Sequence, residues 1–139
     1  MILLDTNVLS ALMRPRPDAQ VVAWLDSQPR TSIWTTSITV FEIRFGLEAM
    51  PHGKHRSELL TLFEKLLVDL IQQRIAHFDS ASAQHAAELM AHRQRKGRPI
   101  DLRDTMIAGI VLATHATLAT GNAKHFADIS HLVIDPWST

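Results

Sequence analysis

The chain has 139 residues, 46% of them hydrophobic and 20% charged, which excludes a disordered segment and suits one domain, 1–139, with its own core. It has no cysteine, which excludes disulfides, zinc–thiolate sites and thiol nucleophiles. Fourteen Lys plus Arg balance fourteen Asp plus Glu, and no apolar run approaches the ~18 residues of a membrane span, so the expectation is a soluble, cytoplasmic protein whose bulk charge advertises no polyanion.

Ile2-Leu3-Leu4 is a continuous apolar run ended by Asp5 and predicts a buried parallel strand. Thr6 or Asn7 can cap the short helix that follows over Val8–Met13, and Arg14-Pro15-Arg16-Pro17 stops it. Asp18 caps a second helix with Val21, Val22, Trp24 and Leu25 as its apolar face, and Thr31–Thr36 predicts the second strand. Helical periods run over Thr39–Met50 and, longest, Ser57–Gln73, and Ile75–Phe78 is a third strand. Ser80–Arg95 is a helix ended by Gly97, and Ile107–Ala113 lies on another that can begin at Asp101. Thr117–Ala119 and Leu132–Ile134 are two last strands, separated by a loop with Gly121 and Asn122. Strands alternating with helices predict an α/β fold on a parallel sheet, whose ligands bind beyond the carboxyl ends of the strands. That topology brings Asp5, Glu42, Asp104 and the Thr120-Gly121-Asn122 turn to one edge, although they are far apart in sequence.

Each acid also has a plainer reading. Asp5 can be a helix cap, and Thr39-Val40-Phe41-Glu42 fits a capping box. Asp101 and Asp104 share a helix face, with Asp101 as the cap or an outer helper and Asp104 as the functional carboxylate. Carboxylates gathered in one cleft repel by about 4 kcal/mol per pair at ~4 Å and an effective dielectric near 20, so such a site calls for a cation or bound protons. Oxygen ligands without cysteine suit Mg²⁺ or Mn²⁺; the eight histidines show no zinc spacing. Arg93, Arg95, Lys96, Arg98 and Arg103 crowd the approach to Asp101 and Asp104, either as a solvated helix end or as a phosphate-binding rim that Arg44 and Lys124 can join. Arg103, about 100° of helical rotation from Asp104, is expected to face away from it and pair with a partner or another helix. Leu9, Leu12, Met13, Trp24, Phe41, Phe45, Leu59, Leu62 and Phe63 are more large apolar side chains than one thin sheet can cover, and predict a groove for an amphipathic helix.

Four segments, in order and across nearly the whole chain, resemble PIN domains: Met1-Ile-Leu-Leu-Asp5-Thr-Asn-Val-Leu9, Ser37-Ile-Thr-Val-Phe-Glu42-Ile-Arg-Phe-Gly46, Gly97-Arg-Pro-Ile-Asp-Leu-Arg-Asp104-Thr-Met-Ile-Ala108 and Leu118-Ala-Thr-Gly-Asn122-Ala-Lys-His-Phe126. Asp135-Pro-Trp137 resembles the tail of the FitB-like VapC branch. The resemblance implies an α/β/α sandwich around a short parallel sheet. It also implies a Mg²⁺- or Mn²⁺-dependent ribonuclease acting as the toxin of a type II toxin–antitoxin pair. Such a toxin is homodimeric, is inhibited by a cognate antitoxin, and meets operator DNA through it. By position the family's acids fall on Asp5, Glu42 and Asp104, as catalytic and metal-binding residues. Asn122 stands at the fourth position, often Asp, which puts a second metal in question; Asp101 can supply the missing charge. Thr6 and Thr120 are outer groups that orient Asp5, and Arg95, Lys96 and Arg98 bind substrate phosphates. The rivals are a DNA-directed metal phosphoesterase and a catalytically weak partner acting mainly through an antitoxin–DNA complex.

Overall fold

The computed structural model describes residues 1–99 and 101–138; Ile100, within the third motif, and Thr139 lie outside the described residues. Strands β1 (Ile2–Leu4), β2 (Ile33–Thr36), β3 (Ile75–Ala76), β4 (Thr117–Ala119) and β5 (Val133–Ile134) pair in parallel in the order β3-β2-β1-β4-β5. The register aligns Leu3 with Trp34 and Leu118, and Leu118 with Val133. These four side chains share one face and pack with Ile107, Ile110 and Phe126. Ile2, Leu4, Ile33, Ala119 and Ile134 take the other face, with Val8, Leu9, Ile43 and Phe63. The strand period of two thus feeds two cores, which is why β1 reads as an unbroken apolar run.

Helices α1 (Thr6–Leu12), α2 (Ala19–Asp26), α3 (Ser37–Ala49) and α4 (Lys54–Leu66) contribute to the second core. Helices α5 (Ser80–Arg95) and α6 (Leu102–Thr114) cover the opposite face, completing the expected sandwich. The α5–α6 approach is close because position 109 is glycine: a Cβ there would stand 2.5 Å from the Ser82 carbonyl oxygen and 2.7 Å from the Ala86 Cβ.

Several boundaries shift for local reasons. Asp5 itself caps α1, so the helix starts at Thr6. Thr36 caps α3, accepting from the Thr39 amide at 3.1 Å. Thr39 is therefore inside the helix, and the capping-box reading of Glu42 does not hold. The long helix ends at Leu66 and passes into a π turn, Leu67–Ile71, which Gln72 and Gln73 close with left-handed backbones. Asp79 caps α5, its side chain accepting from the Ser82 amide, and Gly97 turns the chain away at φ +66°. Beyond Asn122 the loop winds into 3₁₀ turns over Ala123–Leu132, shortening the last strand.

The predicted groove is also redistributed. Leu9, Met13, Trp24 and Phe63 are core residues, and Leu12 and Leu59 are half-buried against that core. Of the nine, Phe41, Phe45 and Leu62 remain exposed, the two phenylalanines stacked at 6.3 Å. The chain runs from β1 out to β3 on one side and returns to β4 on the other. The topological switch therefore lies between the carboxyl ends of β1 and β4, where Asp5 follows one strand and Thr120 the other.

Candidate active site

Asp5 continues the sheet and starts a helix at once. Its amide donates to the Ala119 carbonyl at 3.0 Å, and its Oδ1 accepts from the Thr6 amide at 2.8 Å. Its Oδ2 accepts from the Thr120 hydroxyl at 2.7 Å and from Asn7 Nδ2 at 3.2 Å. Asn7, which sequence reasoning passed over as a cap, ties the two sides of the switch together. Its Nδ2 also donates to Thr120 Oγ1 at 3.1 Å, and its Oδ1 accepts from the Gly121 amide at 2.8 Å. The Asn122 amide completes the turn on Thr120 Oγ1 at 3.0 Å.

Glu42, in the second turn of α3, is reached by Thr6, whose hydroxyl donates to Oε1 at 2.8 Å; the Thr39 hydroxyl lies 3.2 Å from that of Thr6. Asp104, in the first turn of α6, donates its amide to Oδ1 of the cap residue Asp101. Its own Oδ2 sits 3.1 Å from His125 Nδ1. The Thr120 hydroxyl thus bonds Asp5 as expected, whereas the Thr6 hydroxyl goes to Glu42 and Thr6 meets Asp5 only through its amide. Asp101 caps α6 and adds negative charge beside Asp104 and Glu42.

The acids feel one another. Burial holds the Asp5 carboxyl above its usual range, with the Asp104 charge adding to it, against hydrogen bonds from Thr120, Thr6 and Asn7. Burial also raises Glu42, which the Thr6 hydroxyl and Arg103 pull back down. Burial and then the neighbouring Asp101 raise Asp104, with His125 opposing. Among the described residues no group of three or more His, Cys, Asp or Glu side chains is arranged to hold a metal ion by itself. The donor set is nevertheless of the kind a hard cation takes: Mg²⁺ keeps several waters and is held through one or two carboxylates plus substrate phosphate oxygens.

Of the basic stretch, Arg93 is not a rim residue. It is buried, forks onto both carboxylate oxygens of Asp128 at 2.7 and 2.9 Å, and donates to the Thr105 hydroxyl at 2.9 Å and the His125 carbonyl at 3.3 Å. Those bonds draw the pKa of Asp128 below its usual range. They also lock α5, the start of α6 and the His125 turn together. Arg98, Lys124 and His125 line a cleft of about 520 Å³ with Asp101 and Asp104, whereas Arg95 and Lys96 are exposed at the end of α5. Arg44 pairs with Glu64 over the Phe63 ring, away from the rim. Arg103 does pair with another helix, but with Glu42, at 3.6 Å. It belongs to the acid cluster instead of facing away, because a long side chain spans the gap to α3 that helical rotation alone leaves open.

The carboxylates gather at the switch point of a parallel sheet, where open α/β sheets bind their ligands. The chain belongs to the PIN-domain family, whose model matches residues 2–132. It is similar to the plasmid stability protein StbB of Pseudomonas syringae pv. tomato, 38% identical with 99% of each chain covered. The VapC ribonuclease Y4jK of Sinorhizobium fredii is 36% identical over 99% of this chain and 98% of its own. Toxin FitB of Neisseria gonorrhoeae is 35% identical over 99% of both. A solved structure of FitAB bound to a DNA fragment superposes with a TM-score of 0.86 at 36% identity, covering 99% of this chain and 96% of that one.

The raised carboxyl of Asp104 carries a stability consequence. The folded chain holds this proton more tightly than the unfolded chain does, so the metal-free protein gains stability below the ordinary carboxylate pKa and loses it as pH rises through the raised one. Asp104→Asn is expected to raise the Tm of the metal-free protein by a few degrees at neutral pH. That gain should vanish below pH ~3.8. Thermal unfolding across a pH series checks it.

Proposed function

We propose that this chain is a metal-dependent endoribonuclease acting as the toxin of a type II toxin–antitoxin pair. The observation that carries the reading is the convergence of Asp5, Glu42 and Asp104 at the β1/β4 switch, each with its carboxyl raised by burial. The ribonuclease and toxin names of the relatives support it. A bound Mg²⁺ or Mn²⁺ would supply an acidified water and charge neutralisation at the scissile phosphate.

The chain's own residues do the rest. Thr120 and Asn7 fix Asp5 Oδ2, and the Thr6 hydroxyl holds Glu42 Oε1. Asp5 and Asp104 are the direct ligands in this reading, with Glu42 binding through water or positioning the nucleophile. Arg98 and Lys124 line the cleft where phosphates approach, with Arg95 and Lys96 extending the positive edge. Neutral Asn122 gives one tightly held metal instead of two. The purified protein should cut RNA and not DNA, leaving 5′-phosphate and 3′-hydroxyl ends, only with Mg²⁺ or Mn²⁺. Asp5→Asn and Asp104→Asn should each lower kcat at least 100-fold. Equal cleavage of DNA would favour a general phosphoesterase, and full Mn²⁺-dependent activity of Asp104→Asn would refute the ligand set.

The cognate antitoxin's place in this reading is the groove of about 460 Å³ between α1, α3 and α4, lined by Met13, Ile43, Gly46, Leu47, Met50 and Leu59 with Glu42 at its edge. Operator DNA is bound through the antitoxin, by a homodimer of the toxin. A Cβ added at Gly46 meets nothing within 4 Å, so the groove can be obstructed from this position by Gly46→Trp. Co-purification with the antitoxin should fall at least ten-fold while nuclease activity stays; unchanged co-purification would place the antitoxin elsewhere.

A further inference from the structure

Gly121 does not have the left-handed backbone that usually calls for glycine. What requires glycine is the Trp137 ring: a Cβ at 121 would stand 2.8 Å from Trp137 Cζ3 and 3.0 Å from Cε3, with Asn7 Oδ1 at 3.5 Å. The indole therefore lies directly on the Gly121 backbone, from the C-terminal segment. Asp135 holds that segment in a tight turn, its Oδ1 accepting from the Trp137 amide at 2.9 Å and its Oδ2 from the Ser138 hydroxyl at 3.3 Å. Trp137 also packs against the core that holds Val8 and Leu9 of α1. The ring has one polar consequence. It backs the peptide whose N–H donates to Asn7 Oδ1, and Asn7 uses its two remaining protons on Asp5 Oδ2 and Thr120 Oγ1. Turning Asn7 would unseat both.

We propose that Trp137 is a positioning residue of the acid site: it clamps the Gly121 peptide so that Asn7 and Thr120 hold Asp5 Oδ2 in its ligating orientation. The proposal rests on the nuclease reading for its activity readout, but not for its structural one. Groups that orient a ligand typically change metal affinity 10–100-fold when removed.

The test uses the full chain. In Trp137→Ala, hydrogen exchange at the Gly121 amide and the Asn7 side-chain amide, read by NMR without metal, should speed at least ten-fold. Mn²⁺ affinity by calorimetry should fall about ten-fold. For RNA cleavage at saturating Mn²⁺, kcat should fall with KM unchanged, and Trp137→Phe should restore most of each quantity. Gly121→Ala keeps the core contact and disturbs only the clamp. It should mimic Trp137→Ala, and should add less than two-fold once Trp137 is already alanine. If Trp137→Ala does not fold, Gly121→Ala alone decides through the same exchange and affinity readings. Unchanged exchange at Asn7, or effects of the two substitutions that multiply, would overturn the clamp. A wild-type protein that neither binds Mn²⁺ nor cuts RNA would refute the nuclease reading and leave the exchange result to judge the clamp by itself.

Discussion

A carboxylate buried at the end of the central strand costs free energy, and the packing around Asp5 is arranged to offset that cost. Its backbone serves two ladders, donating to Ala119 across the sheet and accepting from Val8 and Leu9 in the helix. Its side chain takes three donors from three different residues. Strand order is what makes this possible: β1 lies between β2 and β4, so Thr6 can reach Glu42 on one side while Asn7 and Thr120 meet on the other. Move Asp5 one residue along and its side chain passes to the opposite face of the strand, away from both sets of partners.

The donors do not fully offset the burial, since Asp5, Glu42 and Asp104 all keep raised carboxyl pKa values. Two groups supply positive character in the metal-free chain: Arg103 beside Glu42, and His125 beside Asp104 whenever it is protonated. His125 is in turn held from behind by Arg93, whose fork onto Asp128 is the most buried ion pair among the described residues. Breaking such a pair by removing one partner typically costs about 3–5 kcal/mol. The site is thus built from the inside outward, with a buried pair placing a half-exposed histidine.

Much of this was legible in the chain itself, for identifiable reasons. The unbroken apolar run of β1 is what a strand covered on both faces requires, and Asp5 ends it with a charge. Glu42 was harder, because its capping-box pattern is a local signal. The true cap, Thr36, is the last residue of β2 and lies three residues before Thr39. Arg93 looked like its basic neighbours because nothing nearby in sequence marks its partner, Asp128, 35 residues on. Asn7 looked like a cap for the same reason: its partners are Thr120 and Gly121, more than 110 residues away. Trp137 carried a family resemblance but no physical role until the absence of a Cβ at Gly121 showed what it rests on. Local pattern located the elements and the acids, and only the folded topology showed which polar groups hold those acids in place.

The central claim is that these carboxylates form one cation site. Crystals grown with Mn²⁺ and measured near the manganese absorption edge test it most directly. The account predicts a single strong anomalous peak within coordinating distance of Asp5 and Asp104, lost in Asp104→Asn. A peak that leaves Asp5 and Asp104 uncontacted, or one undiminished in that variant, would contradict it.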